Sequence, residues 1–404
     1  MTVRWVFVIV FWVNFVILFI GNAVAAEFRL VPSIALRQEY NDNIFFTVQD
    51  ILRDYITTAS PGLELVHKTE LTDLNLLARA DRREYWAHTD LSATDQTYRG
   101  NLGLAISPKF RLSGRAAYIL DSSPDRDIET TGLVLTSVTR ERQVYGGSAE
   151  YNFTEKTMAT LAYDYNKDDY RSANFIGLES NAASLGLIHD LSSLIDATKG
   201  RLNVGFGRYR YTGLQVDNVG GTFGLSKQLG ELWSVSVDAG GRYTVSTADV
   251  VSFQLIPPFT VVRTTQTENT YDTGWIGQAA VSYRGEKTNA ALNLGYDLAP
   301  ATGYAGAAQR TSASFNISRR FTYELRGAFY ASYYWNKADR GTFSAQTIDQ
   351  HLLQLTPSLR YEPTRDVALE ASYSFTMVWY RETKEEADRN LFMLRLILQH
   401  AFFE

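Results

Sequence analysis

The chain has 404 residues, with 39 Lys and Arg against 44 Asp and Glu for a net charge of −5, and it is 13% aromatic, with 24 Tyr, 22 Phe, 7 Trp and no Cys. Without Cys there is no disulfide framework, thiolate metal site, Cys nucleophile or lipid-modified N-terminal Cys. The acidic balance leaves no footprint for nucleic acid, which is not expected as a partner, and the abundance of aromatic and β-branched residues excludes a disordered chain.

The first residues read separately from the rest. Arg4 precedes an apolar run from Trp5 to Ile20, broken only by Asn14, and Gly21-Asn22-Ala23-Val24-Ala25-Ala26 follows. A positive start, an apolar stretch and a small-residue end are the parts of a secretory signal peptide, and the run is shorter than the ~20 residues of a spanning helix. Residues 1–26 are therefore expected to be cleaved near Ala25 or Ala26, leaving 27–404 as one domain. No later run reaches helical spanning length, so a membrane-inserted mature chain would cross with strands.

Strands are what the remainder spells. Val367, Leu369, Ala371, Tyr373, Phe375, Met377 and Trp379 alternate with Ala368, Glu370, Ser372, Ser374 and Thr376. Tyr323, Leu325, Phe329, Ala331, Tyr333 and Trp335 oppose Glu324, Arg326 and Ser332, and Val235, Val237, Ala239, Tyr243 and Val245 oppose Ser234, Ser236, Asp238, Arg242 and Thr244. Period two over about a dozen residues is twice the usual soluble strand and suits a transmembrane one. In chain order the pattern predicts strands near 28–40, 54–67, 73–86, 95–107, 109–121, 142–153, 157–168, 180–190, 199–212, 216–228, 232–247, 269–284, 287–298, 308–319, 321–335, 347–361, 365–380 and 389–403. The expectation is an all-β, transmembrane, antiparallel up-and-down β-barrel of about 18 strands, an even number as in bacterial single-chain barrels.

The connections alternate in length. Short turns are expected at Lys68–Thr72, Pro108, Thr154-Glu155-Lys156, Gly285-Glu286, Arg320 and Glu362-Pro363-Thr364, and long ones at Asn41–Arg53, Ser122–Glu141, Ala248–Glu268 and Asn336–Gln346. Short periplasmic turns and long outer loops put both termini in the periplasm. Leu191–Thr198 and Thr212–Gln215 break the rule, as a longer inner turn and a short outer one.

Lysines fall in or beside these connections, whereas arginines sit within strands. Parity turns Arg37, Arg79, Arg99, Arg115, Arg242, Arg310, Arg326, Arg360 and Arg395 inward, with Glu39, Glu64, Asp81, Glu150, Asp164, Asp238, Asp297, Glu324 and Glu370. A charge facing lipid at the midplane costs ~2–4 kcal/mol, and one facing a watery lumen costs little. The expected lumen-lining residues are Arg37, Glu64, Arg79, Arg115, Asp164, Asp238, Arg242, Arg310, Glu324, Arg326, Arg360, Glu370 and Arg395. They read as cross-strand pairs or, more sharply, as a filter whose slight Arg excess favours anions. Arg208 and Arg210 follow the apolar parity of Leu202, Val204 and Phe206, which predicts a bulge at Gly205 or Gly207. Trp86, Trp275, Trp335 and Trp379 near outer strand ends, and Trp233, Phe153 and Tyr283 near inner ones, suggest interfacial girdles.

Chemistry finds little foothold. His67, His88, His189, His351 and His400 are isolated, and Asp349 near His351 is the one local carboxylate–His candidate. No catalytic residue, metal site or cofactor is expected, and the chain is read as a non-enzyme. The acidic positions Asp125, Asp127, Glu129, Asp168, Asp169, Glu382, Glu385, Glu386 and Asp388 read as solvated loops, or as a place for divalent cations between lipopolysaccharide phosphates. Strand one begins close to the expected cleavage site, which leaves no room for an N-terminal plug or periplasmic docking array.

The stretch Leu30-Val31-Pro32-Ser33-Ile34-Ala35-Leu36-Arg37-Gln38-Glu39-Tyr40-Asn41-Asp42-Asn43-Ile44-Phe45, followed by Thr57-Thr58-Ala59-Ser60-Pro61-Gly62-Leu63, resembles the β-barrel porin type 2 family of proteobacterial outer-membrane proteins. The specific motif covers the first two strands. The end of the chain, with Leu394, Leu396, Leu398 and Phe402 on one face, resembles the assembly signal of such barrels but closes on Phe402-Phe403-Glu404 rather than on an aromatic.

The resemblance implies a cell outer-membrane location, contact with outer-membrane lipid and lipopolysaccharide, insertion by the barrel-assembly machinery, and, since members are often associated with exopolysaccharide systems, a conduit or accessory barrel for exopolysaccharide export working with a periplasmic polysaccharide-export protein. The alternative is a general or substrate-selective diffusion porin for small solutes, and a third is a structural or adhesive barrel with a blocked lumen. A constricting loop folded inward favours the porin, and a wide Tyr-lined lumen the polysaccharide.

Overall fold

In a computed structural model, residues 27–124, 126–128, 138–172, 175–256, 260–301, 306–345 and 347–403 are described. The expected signal peptide lies outside them, as do Asp125 and Glu129. Alternation of side chains leaves each strand an apolar and a polar face, and its backbone must pair on both edges. The chain meets that need with β1 (Glu27–Asn41), β2 (Asp54–Lys68), β3 (Thr72–Tyr85), β4 (Ala93–Ser107), β5 (Phe110–Asp121), β6 (Arg140–Thr154), β7 (Thr157–Tyr170), β8 (Leu178–Asp190) and β9 (Thr198–Tyr211). The second half adds β10 (Leu214–Leu229), β11 (Trp233–Ile256), β12 (Thr260–Arg284), β13 (Thr288–Pro300), β14 (Ala307–Arg320), β15 (Leu325–Ala338), β16 (Ile348–Tyr361), β17 (Val367–Tyr380) and β18 (Glu385–Gln399).

Each strand pairs antiparallel with its sequence neighbours, and β1 pairs with β18, so one 18-stranded sheet closes on itself. Closure leaves the barrel wall without a free edge, as a barrel in hydrocarbon requires. Past β18, Phe402 bridges to Leu30 and Phe403 lies 6.0 Å from Phe28, tying the end of the chain to β1.

The expected barrel is the one observed, with strands close to their expected positions except the last, which runs Glu385–Gln399 rather than 389–403 and so takes in Glu385, Glu386 and Asp388, read from sequence as loop; three further local differences stand out. The expected loop Ala248–Glu268 is paired strand, with Ala248 opposite Glu268 and Ile256 opposite Thr260. Its Val and Thr content favours strand. β12 pairs with β13 only from Gly277 onward, so the upper part of this hairpin stands on its own pairing. β15 begins at Leu325 because Thr322 captures the chain: its Oγ1 accepts the N–H groups of Glu324 and Leu325 at 3.2 and 3.0 Å, making a turn of what parity alone extends as strand. Glu324, expected on the lumen face, is therefore an exposed turn residue. Finally, β9 runs without a bulge at Gly205 or Gly207. The register shifts fall instead between Ala105 and Ser107 and between Asn152 and Thr154. Gly213, at φ 75°, makes the tight two-residue turn from β9 to β10.

Candidate functional site

Which face looks inward follows from contacts that no other route allows. Phe46, in the β1–β2 loop, and Ile128, in the β5–β6 loop, are buried in one cluster with Tyr334, Leu352, Val378 and Ala387 of β15 to β18. A residue after β5 can reach β17 only across the barrel, so Val378 faces the axis. Glu370 shares its strand and parity, while Leu369 and Phe375 point outward.

The β1–β2 loop is turned inward by its own sequence. The Asn41 side-chain oxygen accepts the Asn43 N–H at 3.0 Å. Asn43 exchanges two 3.0 Å bonds with the Thr47 backbone and donates a third to the Asp388 carbonyl. Asp42 accepts from Asn390, so the segment following Tyr40 is tied to β18 rather than projecting outward. Phe46 then takes a φ of 53°, a conformation an aromatic residue holds only when its surroundings dictate it, and the Arg389 guanidinium lies 4.3 Å from its ring centroid.

The β5–β6 loop is held by charge. Arg140 donates to Asp121 at 2.6 Å and to Asp127 at 3.0 Å, and Arg142 grips Asp168 through two 2.6 Å bonds. Arg126 stands 3.5 Å from Asp121, over the Tyr170 ring. Burial, and after it Arg140, pull the Arg126 guanidinium below its ordinary value. Three arginines and three aspartates, mostly buried, thus fasten the loop to the inner wall. On the other side Phe343, between β15 and β16, packs with Tyr211, Val216 and Leu298 beneath the Arg242 guanidinium, 5.5 Å from its ring. Inward segments therefore fill much of the long-loop half of the barrel with packed side chains.

The expected lining residues pair with polar neighbours, some along their own strand and others across strands. Arg37 meets Glu39 at 3.2 Å and donates to Thr58, and Arg79 meets Asp81 at 3.0 Å. Arg115 meets Asp164 at 2.7 Å, and Glu64 accepts from Asn75. Asp238 accepts from Arg201 and Gln278, Arg242 meets Asp272 at 2.9 Å, and Arg310 donates to Asn336 at 3.1 Å. Arg360 and Arg395 flank Glu370 at 3.8 and 4.0 Å, and Arg326 lies directly opposite Arg360.

Arg83, Arg140, Arg142 and Arg201 were not among the expected lining residues. Their parity is readable, but their role depends on loops whose course is not. Arg208 and Arg210 stay on the outer face, near the β9–β10 turn, where Asp217 (2.6 Å) and Glu179 (3.5 Å) balance them at the rim. Asp127 and Asp168, read from sequence as solvated loop or cation sites, are buried against arginine. His351 stacks on Trp335 at 5.1 Å and bonds Tyr333 at 2.6 Å, placing the Asp349–His351 pair in an aromatic band on the outer face. Tyr40, Tyr55 and Trp86 continue that band, and Trp233 and Tyr283 pair at the opposite end.

Comparison with known proteins follows this geometry. Residues 21–177 match the family described as Putative beta-barrel porin 2, the family suggested by the stretches Leu30–Phe45 and Thr57–Leu63. Among solved structures the chain is similar to OccAB4 of Acinetobacter baumannii, at 14% identity and a TM-score of 0.46 over 93% of this chain and 98% of that one. OccAB1 of the same organism gives 12% and 0.47 over 94% and 97%, and the outer membrane protein OpdK of Pseudomonas aeruginosa gives 9% and 0.42 over 92% and 99%. No curated protein matches.

Proposed function

Taking a porin-like β-barrel as the premise, we propose that the protein is a substrate-selective diffusion porin of the outer membrane that passes small solutes through a loop-constricted lumen. The observation that carries this reading is the pair of inward loops: Ile128, from the β5–β6 loop, reaches over the lumen to β15–β18 and is buried there with Phe46 of the β1–β2 loop, as a constriction requires and as a polymer conduit does not. Three of the inward tyrosines support it. Tyr85, Tyr211 and Tyr334 are buried in packed clusters rather than arrayed along an open wall on which sugar rings could stack. Exopolysaccharide export rests on family association alone. In this reading residues 1–26 are removed on export, the barrel-assembly machinery inserts the strands, and lipid and lipopolysaccharide meet the aromatic bands.

A planar-bilayer recording of the purified barrel, paired with deletion of its gene, tests the proposal. Small, stable ion currents with weak anion preference, together with slower solute uptake and unchanged surface polysaccharide in the deletion strain, are expected. Loss of polysaccharide with normal uptake would overturn it in favour of export.

A further inference from the structure

The strand register assembles five arginines into one path. Directly opposed residues run Arg326–Arg360–Glu370–Arg395–Arg37–Thr58–Arg83 across β15, β16, β17, β18, β1, β2 and β3. Opposed residues share a face, and Glu370 is on the face of Val378, so the whole row looks inward. Arg326 is near the start of β15 at the short-turn mouth, and Arg83 is near the end of β3 at the loop mouth. Strands ~4.8 Å apart and tilted by ~40° make each step climb ~3 Å, so the row rises about 18 Å across the barrel. It is a ramp of guanidinium groups interrupted by one carboxylate and one hydroxyl.

The ramp ends in a cavity of about 210 Å³ under the two inward loops, roofed by Ile44 and by Ser123-Pro124. Its charged lining comprises Arg37, Arg79, Arg83 and Arg389 against Glu39, Asp81 and Asp95: four cations and three anions. Arg83 is buried, donating to Asp95 at 2.6 Å and to Ser122 at 2.8 Å. Its Nε, and that of Arg37, are buried donors without an acceptor. A small anion supplies the acceptor that these two donors lack. A planar carboxylate also matches the guanidinium fork. The volume equals about seven waters at ~30 Å³ each, room for a small acid and none for a sugar polymer.

We infer that this cavity is a binding subsite for small monocarboxylates, which the arginine ramp links to the inner mouth. The inference rests on the channel reading above and names its solute class. In planar bilayers holding the full barrel in potassium chloride, sodium benzoate should interrupt the current in a saturable way. Arg37→Gln/Arg83→Gln should weaken that block at least tenfold, and Arg208→Gln, on the outer face, should leave it intact. Glu370→Gln should raise anion over cation permeability. Block that is absent, or is unchanged in the double variant, would overturn the subsite. If the barrel carries no current, the channel reading falls by itself, and calorimetric titration of benzoate into the detergent-solubilised barrel then decides the site: binding lost in the double variant upholds it, and no binding to the unaltered protein overturns it.

Discussion

Asp42 holds Asn390 at two points: one carboxylate oxygen accepts the Asn390 backbone N–H and the other its side-chain amide, each at 2.7 Å. The contact joins the first loop to the last strand, so one residue helps both to close the barrel and to fold the loop inward. Asp42→Ala should cost about 2 kcal/mol, the scale of hydrogen bonds to a charged acceptor whose half-buried partner is left unpaired. Because Phe46 would lose its anchor, the variant should also conduct more than the parent. Urea unfolding and single-channel recording check the two effects, and a stable variant with unchanged current would show that the loop is held elsewhere.

The arginine–aspartate network makes a second prediction. Arg140→Met leaves Asp121 and Asp127 buried without their main partner, a change on the order of 3–5 kcal/mol where an ion pair is broken from one side. The loop should swing free. With Ile128→Cys as reporter, a membrane-impermeant thiol reagent should label the Arg140→Met protein readily and the otherwise unaltered protein poorly. Equal labelling of both would place Ile128 at the surface.

Face assignment is tested on one strand. Cys at position 370 should react with a water-soluble thiol reagent in the membrane-inserted protein and Cys at 375 should not, with the same contrast between 326 and 329. The reverse pattern would invert the barrel's faces.

The tall β11–β12 hairpin gives a prediction of no effect. Above Gly277 β12 pairs only with β11, so excising residues 250–266 removes pairings that the wall does not use. The unfolding midpoint should move by no more than the ±0.5 kcal/mol typical of surface changes, and the ion current should persist. A large loss of stability would mean that the hairpin braces the loops beneath it.

What the sequence determined by itself was everything governed by period two. Strand positions, the alternation of connection lengths and the inward parity of residues such as Glu370 and Arg395 follow from local alternation and from the cost of placing charge in lipid. That logic falters where a side chain competes with the ladder, as Thr322 does at the start of β15. It also falters where strand propensity continues past the membrane, as in Val250–Thr265. Tertiary structure alone decided the rest. Parity shows that Arg326, Arg360, Arg395, Arg37 and Arg83 face inward, but not that they stand in one row, because register depends on turns and shear summed around the ring. Nor does Tyr40-Asn41-Asp42-Asn43 show where its loop goes. Its partners, Asp388 and Asn390, are distant in the chain and reach it only when β18 closes against β1.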